Sequence, residues 1–439
     1  MGSNRRRAQR MPRPGRSLRN ALADTTPLRN EHFGRLWRAN IVTVVGAQLT
    51  VVAVPAQIYS ITGSSAYVGL TGIFGLVPLV VFGLWGGALA DALDRRRLLL
   101  ITTAGLIGTA ALFWVQAALG NTDVWLLLTL FAVQQAFFAV NQPTRNAVLP
   151  KILPPEQLPA ANSLNMTVFM AGAIAGPMVG GALIPVLGFS WLYLVDTLTL
   201  FATLGAVLKL PPLPVAGVTR TPGLASVIDG FRYLRVQPVL MVSFVVDLIA
   251  MIFGMPRALF PEMAHESFGG NAEGGLAFAL LFAAIPAGAV LGGVFSGWVS
   301  RIDRQGLAVI AAILVWGGAV AGFGLAVHFA GGTAGLALAA AVLMLMVAGA
   351  ADMVSAAFRQ SMLQGAASDE VRGRLQGIFI VVVAGGPRLA DVLHGGVAEV
   401  TGAPAAAGFG GVLVVVLVLV VAALVPAFTR FRLSQVTTK

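Results

Sequence analysis

RNAVLPKILPPEQLPAAN occupies residues 145–162, and RQSMLQGAASDEVRGRLQ occupies 359–376. Aligned from Arg145 on Arg359 without a gap, Leu149 meets Leu363 and Glu156 meets Glu370. Each stretch leaves one long apolar segment and enters another that carries a Gly-Pro pair, Gly176-Pro177 in the first case and Gly386-Pro387 in the second. The chain therefore reads as two homologous halves. Parallel repeats of six helices are one transporter architecture, with the substrate bound near the membrane midplane between them.

Working outward from the repeat, apolar stretches near the ~20 residues a bilayer core requires fall at 39–60, 67–90, 98–118, 124–144, 160–187 and 190–209. A second set falls at 239–258, 275–298, 307–328, 334–357, 376–399 and 405–428. The pattern predicts an all-α polytopic membrane protein with twelve transmembrane helices in two six-helix bundles, 39–209 and 239–428. A basic tail at 1–38 precedes them and a short tail at 429–439 follows. Between the bundles lies a linker, 210–238, where Pro211, Pro212 and Pro214 precede SVIDGFRYLRVQ, which reads as an amphipathic surface helix.

The composition agrees. Of 439 residues, 57% are hydrophobic and 11% charged, against about 25% charged in an average soluble domain. Mean hydropathy is +0.84. So few charges cannot cover a globule in water. The net charge of +11 would suit a nucleic-acid binder, but its placement argues otherwise. With the N-terminus inside, 27 of the 29 basic residues fall in inner loops or tails, and only Arg257 and Arg388 do not. Lys and Arg mark the cytoplasmic side, so both termini are expected in the cytoplasm and the protein in the inner (cytoplasmic) membrane. The ten arginines of the N-terminal tail adjoin no short apolar core with a cleavage site, so they read as a cytoplasmic tail and not a secretory signal.

Several chemistries are excluded. There is no cysteine, hence no disulfide or thiolate metal site. His265-Glu266 lacks the second histidine of a zinc-protease motif, and no G-x-x-x-x-G-K-[ST] is present to bind nucleotide phosphates. The expectation is of no enzyme, cofactor or metal.

Two motifs stand out. The first inner loop reads GGALADALDRRR, 86–97. Gly87 and Asp91 share a helix face, and Asp91 at a helix C-terminus opposes the macrodipole. It wants a cationic partner or a helix N-terminus, and the eleventh helix begins on the same side. Gly87, Asp91, Asp94, Arg95, Arg96 and Arg97 are therefore read as an inner gate. The fifth helix carries AGAIAGPMVGGAL, 171–183, with Gly172, Gly176 and Gly180 spaced by four and followed by Gly181. Such a face permits close helix packing, and Pro177 permits a bend. The expected partner is the eighth helix, with its own glycines at 288, 292, 293 and 297.

The loop at 86–97 resembles the signature inner-loop motif of the major facilitator superfamily, departing from it at Ala92. The string at 172–181 resembles that superfamily's antiporter motif, which implies export. NQPTRNAVLPKILPPEQLPAANSL (141–164), DLIAMIFGMPRALFPEMA (247–264) and AGAADMVSAAFRQSMLQGAASDEVRGRLQG (348–377) are similar to its enterobactin-exporter and macrolide-efflux branch. The resemblance covers residues 30–430 and implies a bulky small-molecule substrate, a siderophore or a drug.

Charged groups within a membrane cost about 2.5–3.5 kcal/mol on the insertion scale and mark function. Asp247, Asp352, Arg388 and Asp391 lie inside the predicted helices and are candidates for proton or substrate handling; Arg388 and Asp391, three residues apart, could equally pair with each other. Asp247 is read as alternating between apolar shelter and Arg388. Asp196 reads as a residue of interface depth, His394 as a satisfied polar group. Gln48, Gln57, Gln134, Gln135, Asn141, Gln142 and, beside them, Arg145 are read as the first half's contribution to a cavity.

The expected function is secondary active transport, proton-coupled efflux by alternating access. An importer of the same fold, or a transport-inactive sensor or scaffold, is the alternative. The partners are a small molecule, protons and the bilayer, with no nucleic acid, acting on a monomer.

Overall fold

The computed structural model describes residues 24–213, 232, 234, 235, 237–366 and 369–432, including their side chains except at 84–92, 300 and 364–383. Among the described residues the long helices are Glu31–Thr62, Ser65–Ala92, Arg95–Ala118, Val124–Ile152, Leu158–Leu208, Pro238–Gly254, Leu276–Val294, Gln305–His328, Leu336–Ala366, Asp369–Thr401 and Ala403–Leu424. The helix Leu158–Leu208 is two spans. Gly188, at φ 76° and ψ 169°, breaks it, in a backbone region that favours glycine. Numbered through that break, the spans total twelve. Ten of the described segments are long and apolar enough to cross a membrane. Most of SVIDGFRYLRVQ and both extreme tails lie outside the described residues.

Local chemistry sets several helix ends. Asn30 accepts from the Phe33 amide, Asp94 from the Arg97 amide and Asp123 from the Trp125 amide, each capping the helix it precedes. Gly63, at φ 60°, closes the first span.

Several helices outrun the apolar windows. The first begins at Glu31, the fourth runs to Ile152 and the tenth to Ala366. The polar turns at those ends continue the helix, so Arg145 and Arg359 are helical residues rather than loop residues.

The cores are distributed unevenly along the membrane normal. At the end far from both termini, one apolar cluster draws on both bundles, including Tyr59, Phe113 and Tyr193 from the first and Phe260, Phe282 and Phe323 from the second. At the end near the termini, each bundle has a core of its own, around Val148 and Val207 in the first and around Trp316 and Phe358 in the second. Among the described residues, the shared cluster joins the bundles at one end, and the clusters at the other end each draw on one bundle. Val412, Val416, Leu419 and Val420 of the last span face outward uncovered, as a lipid-facing surface requires.

Candidate functional site

A cavity of about 1350 Å³, counting the space open to solvent, lies between the bundles. The first span brings Asn40, Thr43 and Thr50 to it, and the fourth brings Gln134, Gln135, Asn141, Gln142 and Arg145. The second bundle contributes Arg257 from just beyond the seventh span and Arg388 with Asp391 from the eleventh.

Close helix packing positions the latter pair. A Cβ at Gly69 of the second span would stand 2.5 Å from the Asp391 carbonyl oxygen, and one at Gly72 would collide with that of Arg388. Only glycine lets the second and eleventh spans approach this far. Arg388 then reaches the fourth span, with Nη2 3.5 Å from Gln135 Oε1 and its guanidinium 5.3 Å from the Phe131 ring centroid. Arg388 and Asp391 make no salt bridge within 4.0 Å, though each lies in the other's field.

Arg257 lies 5.4 Å from the Phe282 ring centroid, in cation–π range. Among the described residues, no carboxylate lies within 4.0 Å of Arg145, Arg257 or Arg388. The cavity thus presents three guanidinium groups with no salt bridge within 4.0 Å among the described residues, beside two acids, Asp196 and Asp391.

Other expected residues sit elsewhere. Asp247, 2% exposed, pairs with Arg359 of the tenth span, and Asp352 lies 3.8 Å from the same guanidinium. The cation facing Asp247 is Arg359, not Arg388, and the trio does not line the cavity. Gln48 packs beneath Gly176. Gln57 is buried in a network with Gln116, at 3.2 and 3.1 Å, and with the Tyr193 hydroxyl, at 2.9 Å. Neither glutamine lines the cavity. His394 shares a hydrogen bond with the Phe253 carbonyl at 3.1 Å.

Asp196, read from the sequence as a residue of interface depth, is 2% exposed and borders the cavity. Arg257 also escaped the sequence reading. Its signal was its position, as one of two basic residues off the cytoplasmic side.

The glycine face of the fifth span packs on the first span, not the eighth. Cβ atoms at Gly172, Gly176 and Gly180 would strike Val44, Gln48 and Val52. Only Gly181 meets the eighth span, where a Cβ would stand 2.8 Å from that of Ala279. The eighth span's Gly288 and Gly292 face Met346 and Ala350 of the tenth.

In the inner-loop motif, the side chains of Gly87 and Asp91 lie outside the described residues. Asp94 accepts from the Leu213 amide at 2.8 Å, and Arg96 donates to the Leu208 carbonyl at 2.7 Å. The described part of the motif therefore clasps the end of the sixth span.

At the far end, hydrogen bonds cross between bundles. Tyr59 donates to Glu266 at 2.9 Å, Ser65 donates to Glu262, and Ser64 donates to Glu399. The Gly275 amide donates to the Gly181 carbonyl at 2.8 Å.

Two six-span bundles enclosing a polar cavity define a membrane transporter of the major facilitator type. The family described as transmembrane secretion effector matches residues 22–436, and the chain belongs to it. It is 30% identical over 398 residues to the enterobactin exporter EntS of Shigella boydii serotype 18 (strain CDC 3083-94 / BS512), covering 89% of this chain and 91% of that one. It is 29% identical, with the same coverage, to the enterobactin exporter EntS of Escherichia coli O81 (strain ED1a). Its fold matches a peptide transporter POT in complex with sulfate, with a TM-score of 0.73 at 14% identity over 92% of this chain and 96% of that one. It also matches a bacterial homologue of the human lysosomal transporter Spinster in an inward-facing, unoccupied conformation, with a TM-score of 0.62 at 16% identity over 92% and 97%.

Proposed function

We propose that this protein is a proton-coupled exporter of an acidic, aromatic small molecule of the siderophore type, working by alternating access from the cytoplasmic membrane. The observation that carries this reading is the set of three arginines, Arg145, Arg257 and Arg388, in one cavity with no carboxylate partner among the described residues. Open guanidinium groups are strong sites for carboxylate-like or phenolate oxygens, and Phe131 and Phe138 beside them offer faces to aromatic rings. A relative bearing the name enterobactin exporter supports the same substrate class.

Alternating access is supported by the uneven cores. A shared core and crossing hydrogen bonds hold the far end, which the positive-inside reading assigns to the outer side, while among the described residues the clusters at the other end each belong to one bundle. Rocking about a central site would exchange the two arrangements.

The test is transport in proteoliposomes with an imposed pH gradient, using enterobactin and, as a cationic comparison, erythromycin. Gradient-driven movement of enterobactin against its concentration, with erythromycin slower, is the expected result. Transport of erythromycin alone would replace the siderophore reading with a drug pump. Uptake in the direction of the proton flow would replace export with import.

A further inference from the structure

We propose that Asp196, with Thr50, is the carboxylate at which the coupling proton and the cargo compete. The proposal rests on the exporter reading and assigns its coupling residue.

The geometry is specific. Asp196 Oδ2 accepts from the Thr50 hydroxyl at 2.5 Å, and both residues border the cavity. Oδ1 is buried and has no hydrogen-bond partner. It lies against Gly46, where a Cβ would stand 2.9 Å from it and would also strike Thr199, so glycine at 46 lets the first span press close to the carboxylate without a side chain between them. A buried carboxylate oxygen without a donor is costly when ionised, and a proton on it removes the charge.

No cation among the described residues sits beside it to do so instead. Of the spans packed against its helix, the eighth carries no ionisable residue, the third only Arg95, Arg96 and Arg97 at its start, and the first only Tyr59 and its opening turns. On its own helix, Tyr193 is engaged with Gln57. Across the cavity stand Arg145, Arg257, Arg388 and Asp391.

The other membrane acids differ. Asp247 and Asp352 are held by Arg359 and stand off the cavity, while Asp391 lies in the field of Arg257 and Arg388.

The exchange is balanced. An ionised carboxylate only accepts hydrogen bonds, so a cargo hydroxyl can donate to Asp196 when the proton is gone and cannot when it is present. One proton leaves to the cytoplasm as cargo binds, and one enters from the outer side as cargo leaves. The cargo is then a molecule bearing both acidic oxygens for the arginines and hydroxyl donors for Asp196.

Two measurements on the full-length protein test this. Infrared difference spectra across a pH titration should show a protonated-carboxyl band in the wild type that Asp196→Asn lacks and Asp196→Glu shifts. Its persistence in Asp196→Asn overturns the assignment. Enterobactin binding by the wild type should weaken at low pH by a factor in the usual coupling range, about 5–150-fold, and become insensitive to pH in Asp196→Asn; an unchanged pH dependence likewise overturns it. If the wild type does not bind enterobactin, the siderophore reading falls, and the infrared comparison alone decides the role of Asp196. Asp196→Glu, which keeps the acid, covers the case in which Asp196→Asn fails to fold.

Discussion

Arg145 and Arg359 occupy the same place in the two halves of the repeat and have opposite surroundings. Arg359 is 5% exposed, closed between Asp247 of the seventh span and Asp352, two turns back on its own helix face. Arg145 borders the cavity with no acid beside it, and the position aligned with Asp352 is Phe138. One of the two aligned arginines is neutralised inside its bundle, and the other faces the cavity with no ion pair among the described residues, as the proposed ligand role requires. The backbone frames match meanwhile: Gly176 of the fifth span rests on Gln48 of the first, and Gly386 of the eleventh rests on Met251 of the seventh. Duplication fixed the scaffold, and charge pairing divided the labour.

The largest expected effect comes from breaking the neutralised side. Arg359→Leu leaves Asp247 buried without its cation, and removing one partner of a buried pair costs about 3–5 kcal/mol. Thermal melts in detergent should fall by many degrees, whereas Arg145→Leu should melt near the wild type. Equal melts for the two variants would erase the contrast.

Next in size, Arg145→Ala should weaken enterobactin binding by about 1.5–3 kcal/mol, the range for a hydrogen bond to a charged group, in a titration on purified protein. Arg359→Lys, which keeps the buried charge, should bind with unchanged affinity.

The scaffold's symmetry has its own check. Gly176→Ala and Gly386→Ala each place a methyl against a facing side chain, at Gln48 and at Met251. Overpacking costs about 1–3 kcal/mol, and the two melts should drop alike. Gly176→Leu goes further and should stop transport while the protein still inserts in the membrane.

The smallest and sharpest test copies one half onto the other. Phe138→Asp sets a carboxylate where the aligned Asp352 stands, two turns from Arg145 on the same helix face. It should lower enterobactin affinity by about 1 kcal/mol, a surface-to-cavity ion pair's worth, with little change in melting temperature.

The helical, polytopic fold and the span count were legible in the sequence because apolar length is a property of the chain alone. The paired fates of the two arginines were not. The apolar windows ended at 144 and 357, yet the helices continue through polar turns to Ile152 and Ala366, carrying Arg145 and Arg359 inward. Asp196 near the start of its window suggested the interface, but the break at Gly188 and the close first span bury it behind Thr50. The glycine face announced a close neighbour without saying which. Spacing reports how near a helix can come, and only packing decides that the first span, not the eighth, fills the groove.

The hydrogen bonds that Tyr59, Ser65 and Ser64 give to Glu266, Glu262 and Glu399 have a directional consequence. At about 1 kcal/mol net for each, three of them favour keeping that end closed by about a hundredfold, and on the proposed topology and alternating-access reading that end is the outer one. A molecule arriving from outside meets a binding-competent form only in that small fraction, and its apparent dissociation constant rises in proportion. A molecule arriving from the cytoplasm meets no such discount. The protein would then behave as a check valve, its rectification set by three side-chain hydroxyls.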